Sequence, residues 1–256
     1  MSDAAPEVDL DFSLAGKVAV VTGGGSGIGA AIASAFARKG ASLALFDIQR
    51  EAADAQAREI GRGARAFRCD VADKACVDEA VAAAHSAFGR IDILVNSAGI
   101  VALAPAETLS LDAWDRTIAI NLRGTFLVCQ AVGRLMIASG GGRIVNLASQ
   151  AGTVAIEEHA AYCASKFGVI GLTKTLAAEW GRHGIRANTI SPTVVLTELG
   201  RQAWSGEKGE AAKKRIPAGR FAHPEEIAAA AVFLASSGAD MINGADLLVD
   251  GGYTIL

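Results

Sequence analysis

Four cysteines in 256 residues are too few and too scattered to build a disulfide framework. Cys69, Cys76, Cys129 and Cys163 form no Cys-x-x-Cys pair and no zinc-type spacing, so reduced, packed thiols are expected and a metal site is not. Only five prolines occur, and no Pro/Gly/Ser-rich linker interrupts the chain, which favours one domain over two. Charge of one sign is also lacking. The 24 basic and 27 acidic side chains leave a net charge of -3, with no basic stripe for nucleic acid and no polybasic patch for a membrane. No apolar run approaches the roughly 18 residues of a spanning helix. The opening MSDAAPEVDLDF has neither the basic nor the apolar region of a signal peptide. The expectation is a cytoplasmic protein with a small-molecule partner, a flexible tail over residues 1–12 and one domain over 13–256.

What is abundant is apolar: 51% hydrophobic against 20% charged residues, with 29 glycines, enough for a large buried core. Short β-branched or apolar runs at 17–22, 42–47, 64–69, 91–96, 143–149, 185–191 and 246–250 read as strands. Between them, alanine-rich stretches at 27–40, 49–61, 73–88, 110–139, 160–183 and 224–235 read as helices. Strands with so little polar alternation are buried on both faces. The pattern predicts an α/β protein with a doubly wound, seven-stranded parallel sheet and helices on both sides. The segment 193–223 is long, polar and without a strand, which suits a substrate lid.

Directly after the first strand candidate stands TGGGSGIG, residues 22–29. Glycines at a strand-to-helix turn let backbone N–H groups approach a pyrophosphate at the helix N-terminus, although a tight turn alone could also ask for them. Gly23, Gly27 and Gly29 follow Gly-x-x-x-Gly-x-Gly, and no Gly-Lys-Ser/Thr marks a triphosphate loop. Asp47 ends the second strand candidate, where a carboxylate can accept from an adenosine ribose and repel a 2′-phosphate. It could equally cap the helix that follows. Further on, Tyr162 and Lys166 lie four apart on one predicted helix face, and a cation beside a phenol favours the phenolate, a base poised nearer neutrality.

Taken together, TGGGSGIG, CDV at 69–71, NSAG at 96–99, Asn121, Ser149 and YCASK at 162–166 resemble the short-chain dehydrogenase/reductase family from about residue 14 to the end of the chain. The resemblance implies a Rossmann-type fold, NAD as cofactor and a Ser149, Tyr162, Lys166 and Asn121 catalytic set. In such a set Tyr162 takes the substrate hydroxyl proton, Ser149 binds the substrate oxygen, Lys166 also holds the nicotinamide ribose, and Asn121 keeps a water in a proton relay to Lys166. Ser26 and Ile28 would join the three glycines at the cofactor, Asp70 and Val71 would border the adenine, and Asn96 with Gly99 would run along it. Pro192, Val195 and Thr197 would meet the carboxamide and the diphosphate. Ser97 stands where the family has a second asparagine. Thr193 follows Pro192 where it tends to have glycine, so Thr193 needs a backbone conformation open to non-glycine residues.

Gln150, His159 and Trp204 are similar to features of the family's polyol dehydrogenase and xylulose reductase branch. With Ser149 and Tyr162 they form the expected substrate set, and polar groups there suit a polyhydroxylated substrate. Reduction of 3-oxoacyl thioesters and oxidation of hydroxysteroids are the alternatives within the family. No Gly-x-Ser-x-Gly elbow supports a hydrolase, and an intact catalytic set argues against a regulator that only binds dinucleotide. The implied assembly is a homotetramer built through the helices at 110–139 and 160–183.

Overall fold

The computed structural model describes residues 8–255, apart from the Leu199 side chain. Seven strands, β1 (Val18–Thr22), β2 (Ser42–Asp47), β3 (Arg65–Arg68), β4 (Ile93–Asn96), β5 (Gly142–Leu147), β6 (Ile185–Pro192) and β7 (Asp246–Val249), form one sheet in the order β3-β2-β1-β4-β5-β6-β7. Every neighbouring pair is parallel. All residues of β1 and β4 are buried, which is why neither strand alternates in sequence.

Helices α1 (Gly27–Arg38) and α2 (Arg50–Ile60) and the late helix α9 (Pro224–Ala235) supply one apolar layer, with Ile32, Phe36 and Ile227 at its centre. On the opposite face α3 (Lys74–Phe88) and α5 (Thr125–Ser139) pack Val77, Val128 and Met136 against the sheet, joined by α6 (Ala160–Trp180). Asp73 caps α3 by accepting from the Ala75 N–H at 2.9 Å, and Gly89 ends it in a left-handed conformation.

One expectation needs revision, and two are filled in. The predicted helix over 110–139 is broken: α4 (Leu111–Ile118) runs into a π-helical turn, Ala119–Gly124, before α5 begins. Next, the 193–223 segment carries two short helices, α7 (Glu198–Ala203) and α8 (Gly206–Lys213), and is tied at its base by a β-bridge between Val195 and Ala222. Last, residues 1–7 of the expected tail lie outside the described residues, but Phe12 packs edge-on against Phe233 at 5.5 Å, so the chain already touches the core at that residue. No helix among the described residues is long and apolar enough to cross a membrane.

The parallel register sets Thr22, Asn96, Asn146, Thr189 and Asp246 in one row across the sheet. Asn96 Nδ2 donates to Asn146 Oδ1 at 2.8 Å, and Asn146 Nδ2 to Thr173 Oγ1 on α6 at 2.9 Å. Buried amides linked in this way fix the lateral position of α6. Replacing Asn146 by Ala removes the bond accepted by the Thr173 hydroxyl, which still donates to the Val169 carbonyl, and strands one Asn96 donor, so urea unfolding should show a loss of about 1–3 kcal/mol; an unchanged midpoint would contradict this role.

Candidate active site

At the carboxyl ends of β1 and β2 the glycine turn is shaped for close backbone approach. Gly23 has φ 64°, and a Cβ at Gly29 would lie 2.2 Å from the Gly23 carbonyl oxygen, so the first turn of α1 can close only around glycine. Ser26 is the N-cap of α1 but its side chain makes no capping bond, and no acidic residue occupies the first turn. The helix N-terminus therefore keeps its donors and its dipole for an anion. Gly27, at φ 55°, faces the Thr197 methyl, which a Cβ would meet at 3.3 Å, so the two residues stand opposite each other where a diphosphate would pass. These residues fit a dinucleotide phosphate.

Asp47 does not cap α2; Gln49 holds that position. Its Oδ2 accepts from the Gly25 N–H at 3.0 Å and its Oδ1 from the Gln49 N–H at 3.0 Å. The carboxylate thus braces the glycine turn and keeps further lone pairs for a ribose. Asp70 Oδ1 accepts from the Ala72 N–H at 2.9 Å, and Val71 is buried against Gly124 of the π turn.

Asn96 ends β4, where its backbone is expected to run along the cofactor, and turns its side chain the other way. Its amide is 4% exposed and donates to Asn146 and, at 3.2 Å, to Cys129 Sγ, so the side chain belongs to the sheet interior. Asn121, expected to hold a relay water, is anchored by its side chain. Its Oδ1 accepts from the Ile100 N–H at 2.8 Å, while Nδ2 donates to the Ile100 carbonyl at 2.8 Å and to Ser165 Oγ at 3.1 Å. The amide thus anchors the loop after β4 to α6, both its N–H groups are used, and Oδ1 keeps a second lone pair that a water could donate to.

Ser149, Tyr162 and Lys166 do come together. Lys166 Nζ donates to the Leu147 carbonyl at 2.6 Å and lies 5.5 Å from the centre of the Tyr162 ring. Ser149 Oγ accepts from the Ala151 N–H at 3.1 Å, which leaves its own proton free to donate. The expected lowering of the phenol pKa is not found. Burial raises Tyr162, against a smaller downward pull from the Ser149 hydroxyl, and burial lowers Lys166 to about 8. Both charged forms lose water here, and for the phenol that loss outweighs its neighbours. Of the thiols, Cys69 and Cys129 are buried and pushed up to about 12 by desolvation, while Cys76 and Cys163 are partly exposed; all four are free.

These groups line a cavity of about 410 Å³. Ile28, Gly99, Pro192, Val195 and Thr197 line it on the cofactor side, and Gln150, His159 and Trp204 complete the expected substrate set. Gly23, Asp47 and Asp70 lie outside its wall, at the ends of the strands where adenosine would rest. Gln150 and Thr193 are each more than nine-tenths buried, and Gln150 Oε1 and Thr193 Oγ1 have no hydrogen-bond partner. Thr193 is not among the residues with positive φ, so the threonine is unstrained where glycine was the expectation. His159 Nδ1 lies 2.6 Å from the Glu157 carbonyl, so that nitrogen carries the proton and Nε2 is left as an acceptor. Trp204 stacks edge-on with Phe221 at 6.0 Å.

Sequence reasoning missed Thr22, whose Oγ1 accepts from the Ser97 and Ala98 N–H groups at 3.1 and 3.2 Å and so shapes the loop after β4. It also missed Arg215 and Tyr253, which reach the cavity from the lid and the C-terminal turn. No local pattern marks such residues, because only the tertiary fold brings their segments together.

Residues 23–254 match the family described as enoyl-(acyl carrier protein) reductase. The chain is 67% identical over 251 residues to D-threitol dehydrogenase of Mycolicibacterium smegmatis, covering 97% of this chain and 96% of that protein. It is 50% identical over 247 residues to the NAD-dependent glycerol dehydrogenase of Listeria innocua, covering 96% and 97%. The crystal structure of a gluconate 5-dehydrogenase from Burkholderia cenocepacia, in complex with NADP and tartrate, superposes with a TM-score of 0.92 at 40% identity, over 96% of this chain and 98% of that one. With the fold, the glycine turn and the Ser149, Tyr162 and Lys166 cluster in place, the chain belongs to the short-chain dehydrogenase/reductase family.

Proposed function

We propose that the protein is an NAD-dependent dehydrogenase that oxidises a secondary carbinol of a short sugar alcohol or vicinal diol to the ketone. One observation carries this reading: Ser149, Tyr162 and Lys166 open onto a cavity whose other polar lining includes two buried oxygens, on Gln150 and Thr193, that lack partners. A rotation of either side chain offers its polar atom to a ligand hydroxyl, and His159 Nε2 adds a third acceptor. Similarity to threitol and glycerol dehydrogenases supports the same substrate class.

When bound, the nicotinamide supplies the hydride acceptor. The chain's own residues handle the proton and the orientation. Tyr162 takes the hydroxyl proton as the phenolate, Lys166 stabilises that phenolate by its charge, and Ser149 donates to the substrate oxygen. Asn121 serves as a positioning residue by fixing Ile100 and Ser165. Asp47 holds the adenosine ribose. A 2′-phosphate there would face the carboxylate, and Arg50, the basic residue three positions on, is paired with Asp54. Exposed Leu111, Trp114, Phe126 and Phe167 on α4, α5 and α6 support a homotetramer through these helices, which light scattering can check.

Tyr162→Phe keeps the ring and removes the proton acceptor, so turnover should fall about 10²–10⁴-fold while NADH binding, read by fluorescence, persists. A raised Tyr162 pKa means that less phenolate is present at neutral pH, so kcat/KM for oxidation should climb as pH rises through 7. The climb should flatten above about 8 as Lys166 loses its charge, and Lys166→Met should move it to higher pH; a flat profile would contradict both roles.

For the cofactor, Asp47→Arg should weaken NAD and relieve the repulsion of NADP, reversing or narrowing the ratio of the two kcat/KM values. A wild type that already prefers NADP would rule out the ribose role. For the substrate, a four- or five-carbon alditol should exceed a simple secondary alcohol of equal length in kcat/KM, and His159→Ala should erode that advantage. Equal turnover of the simple alcohol would defeat the polyol reading and leave the dehydrogenase one.

A further inference from the structure

The cavity has a one-sided charge. No Asp or Glu lines it, whereas Lys166 stands on the catalytic wall and Arg215 on the lid wall. Lys166 is committed to the Leu147 carbonyl and to the tyrosine. Arg215 is not committed in this way: its guanidinium makes no hydrogen bond or ion pair among the described residues, and its central carbon lies 5.3 Å from the centre of the Tyr253 ring. A guanidinium laid over an aromatic face is oriented by that contact yet keeps its in-plane N–H edges free. Within the lid Lys213 is paired with Glu210 at 2.6 Å and Arg220 with Glu226 at 2.6 Å, while Arg201 and Lys214, likewise without side-chain partners among the described residues, do not line the cavity.

Backbone hydrogen bonds hold both partners in place. The Arg215 N–H donates to the Ala212 carbonyl at 3.1 Å, the Ala218 N–H ties the end of the lid to the Gly251 carbonyl at 3.0 Å, and the Tyr253 N–H donates to the Asp250 carbonyl at 3.2 Å. The guanidinium is therefore held near the Tyr253 ring at the exposed rim of the cavity, on the wall that also carries Trp204, in a site otherwise lined, Lys166 apart, by apolar side chains, hydroxyls, an amide and an imidazole.

We propose that Arg215, oriented by Tyr253, binds the carboxylate of a polyhydroxy acid, so that the enzyme oxidises short aldonates as well as alditols. The inference rests on the dehydrogenase reading above. One guanidinium offers two parallel N–H groups, which match the two coplanar oxygens of a carboxylate; a dianionic phosphate would lack a second free cation in the cavity. In the reaction the hydroxyl proton passes to Tyr162 and the carbinol C–H bond breaks, its electron pair leaving as hydride to the oxidised nicotinamide dinucleotide. The carboxylate is unchanged and stays on Arg215.

The test compares kcat/KM for threitol and erythritol with that for threonate and erythronate, in wild type, Arg215→Ala and Arg215→Lys. Wild type should turn over at least one of the two acids, with a KM that rises with added salt as the alditol KM does not. Loss of a charge-assisted bidentate contact should lower the acid-to-alditol ratio of kcat/KM about 10- to 100-fold in Arg215→Ala, chiefly through KM, with partial rescue by lysine. Calorimetry of threonate with the NADH complex should show the same order of affinities. Alditol turnover with inert acids, an unchanged ratio in Arg215→Ala, or preference for a tetritol phosphate over the acids would each overturn the proposal. Inertness of alditols and acids alike would overturn the underlying substrate reading with it.

Discussion

The ammonium of Lys166 is 6% exposed and makes one hydrogen bond, to the last carbonyl of β5. Moving such a group out of water costs several kcal/mol, and the Leu147 oxygen and the Tyr162 ring face offset part of that cost only at short range. The helix that carries it must therefore lie close against the sheet and its neighbours. A Cβ at Gly152 would stand 3.0 Å from the Lys166 backbone, and one at Gly168 would stand 2.7 Å from the Leu122 side chain. These two glycines are the steric condition for the buried charge. Tyr162 then takes its position one turn earlier on the same helix.

Polar residues of the site divide between those that face the cavity and those that hold it open. Asn96 and Asn146 lock β4 to β5 and to α6, and Asn121 locks the loop after β4 to α6 through Ile100 and Ser165. All are buried amides held by long-range bonds, although Asn96 Oδ1 has no partner among the described residues, and these bonds make them rigid supports. Placed in the π turn, Asn121 also explains the break in a helix whose composition is continuous. Its bonds to Ile100 span 21 residues and pull the chain toward the loop, and a π-helical turn accommodates that pull without ending the helix.

That division shows which parts of the molecule could be read from the chain. The strands were legible because runs such as VAVVT and ILVN are apolar on both faces, and the glycine turn because its φ values admit little else. Tyr162 and Lys166 were legible as neighbours because helical spacing is local. The direction of their pKa shifts was not, since desolvation depends on packing by β5, α6 and the lid together. Asn96 and Asn121 have residue types suited to cofactor contact or catalysis, and the local sequence gives no sign of their partners Asn146 and Ile100. Cavity residues such as Arg215 and Tyr253 share no motif and meet only when the lid folds against the C-terminal turn.

Asp47 joins cofactor choice to backbone geometry. Its two oxygens accept from Gly25 and Gln49, so the carboxylate that would meet the ribose is also the brace of the phosphate turn. Arg68, its register partner on β3, points toward Cys76 at 3.9 Å and gives the carboxylate no ion pair. A substitution at residue 47 thus changes charge and turn shape together. An amide at that position keeps one acceptor oxygen and so only one of the two brace bonds while removing the repulsion of a 2′-phosphate, whereas alanine loses the whole brace and the repulsion together. The adenosine end of the site therefore carries one carboxylate with coupled duties, and the substrate end carries only cations. The cations and the carboxylate of the groove thus stand at opposite ends, with the uncapped N-terminus of α1, after β1, between them.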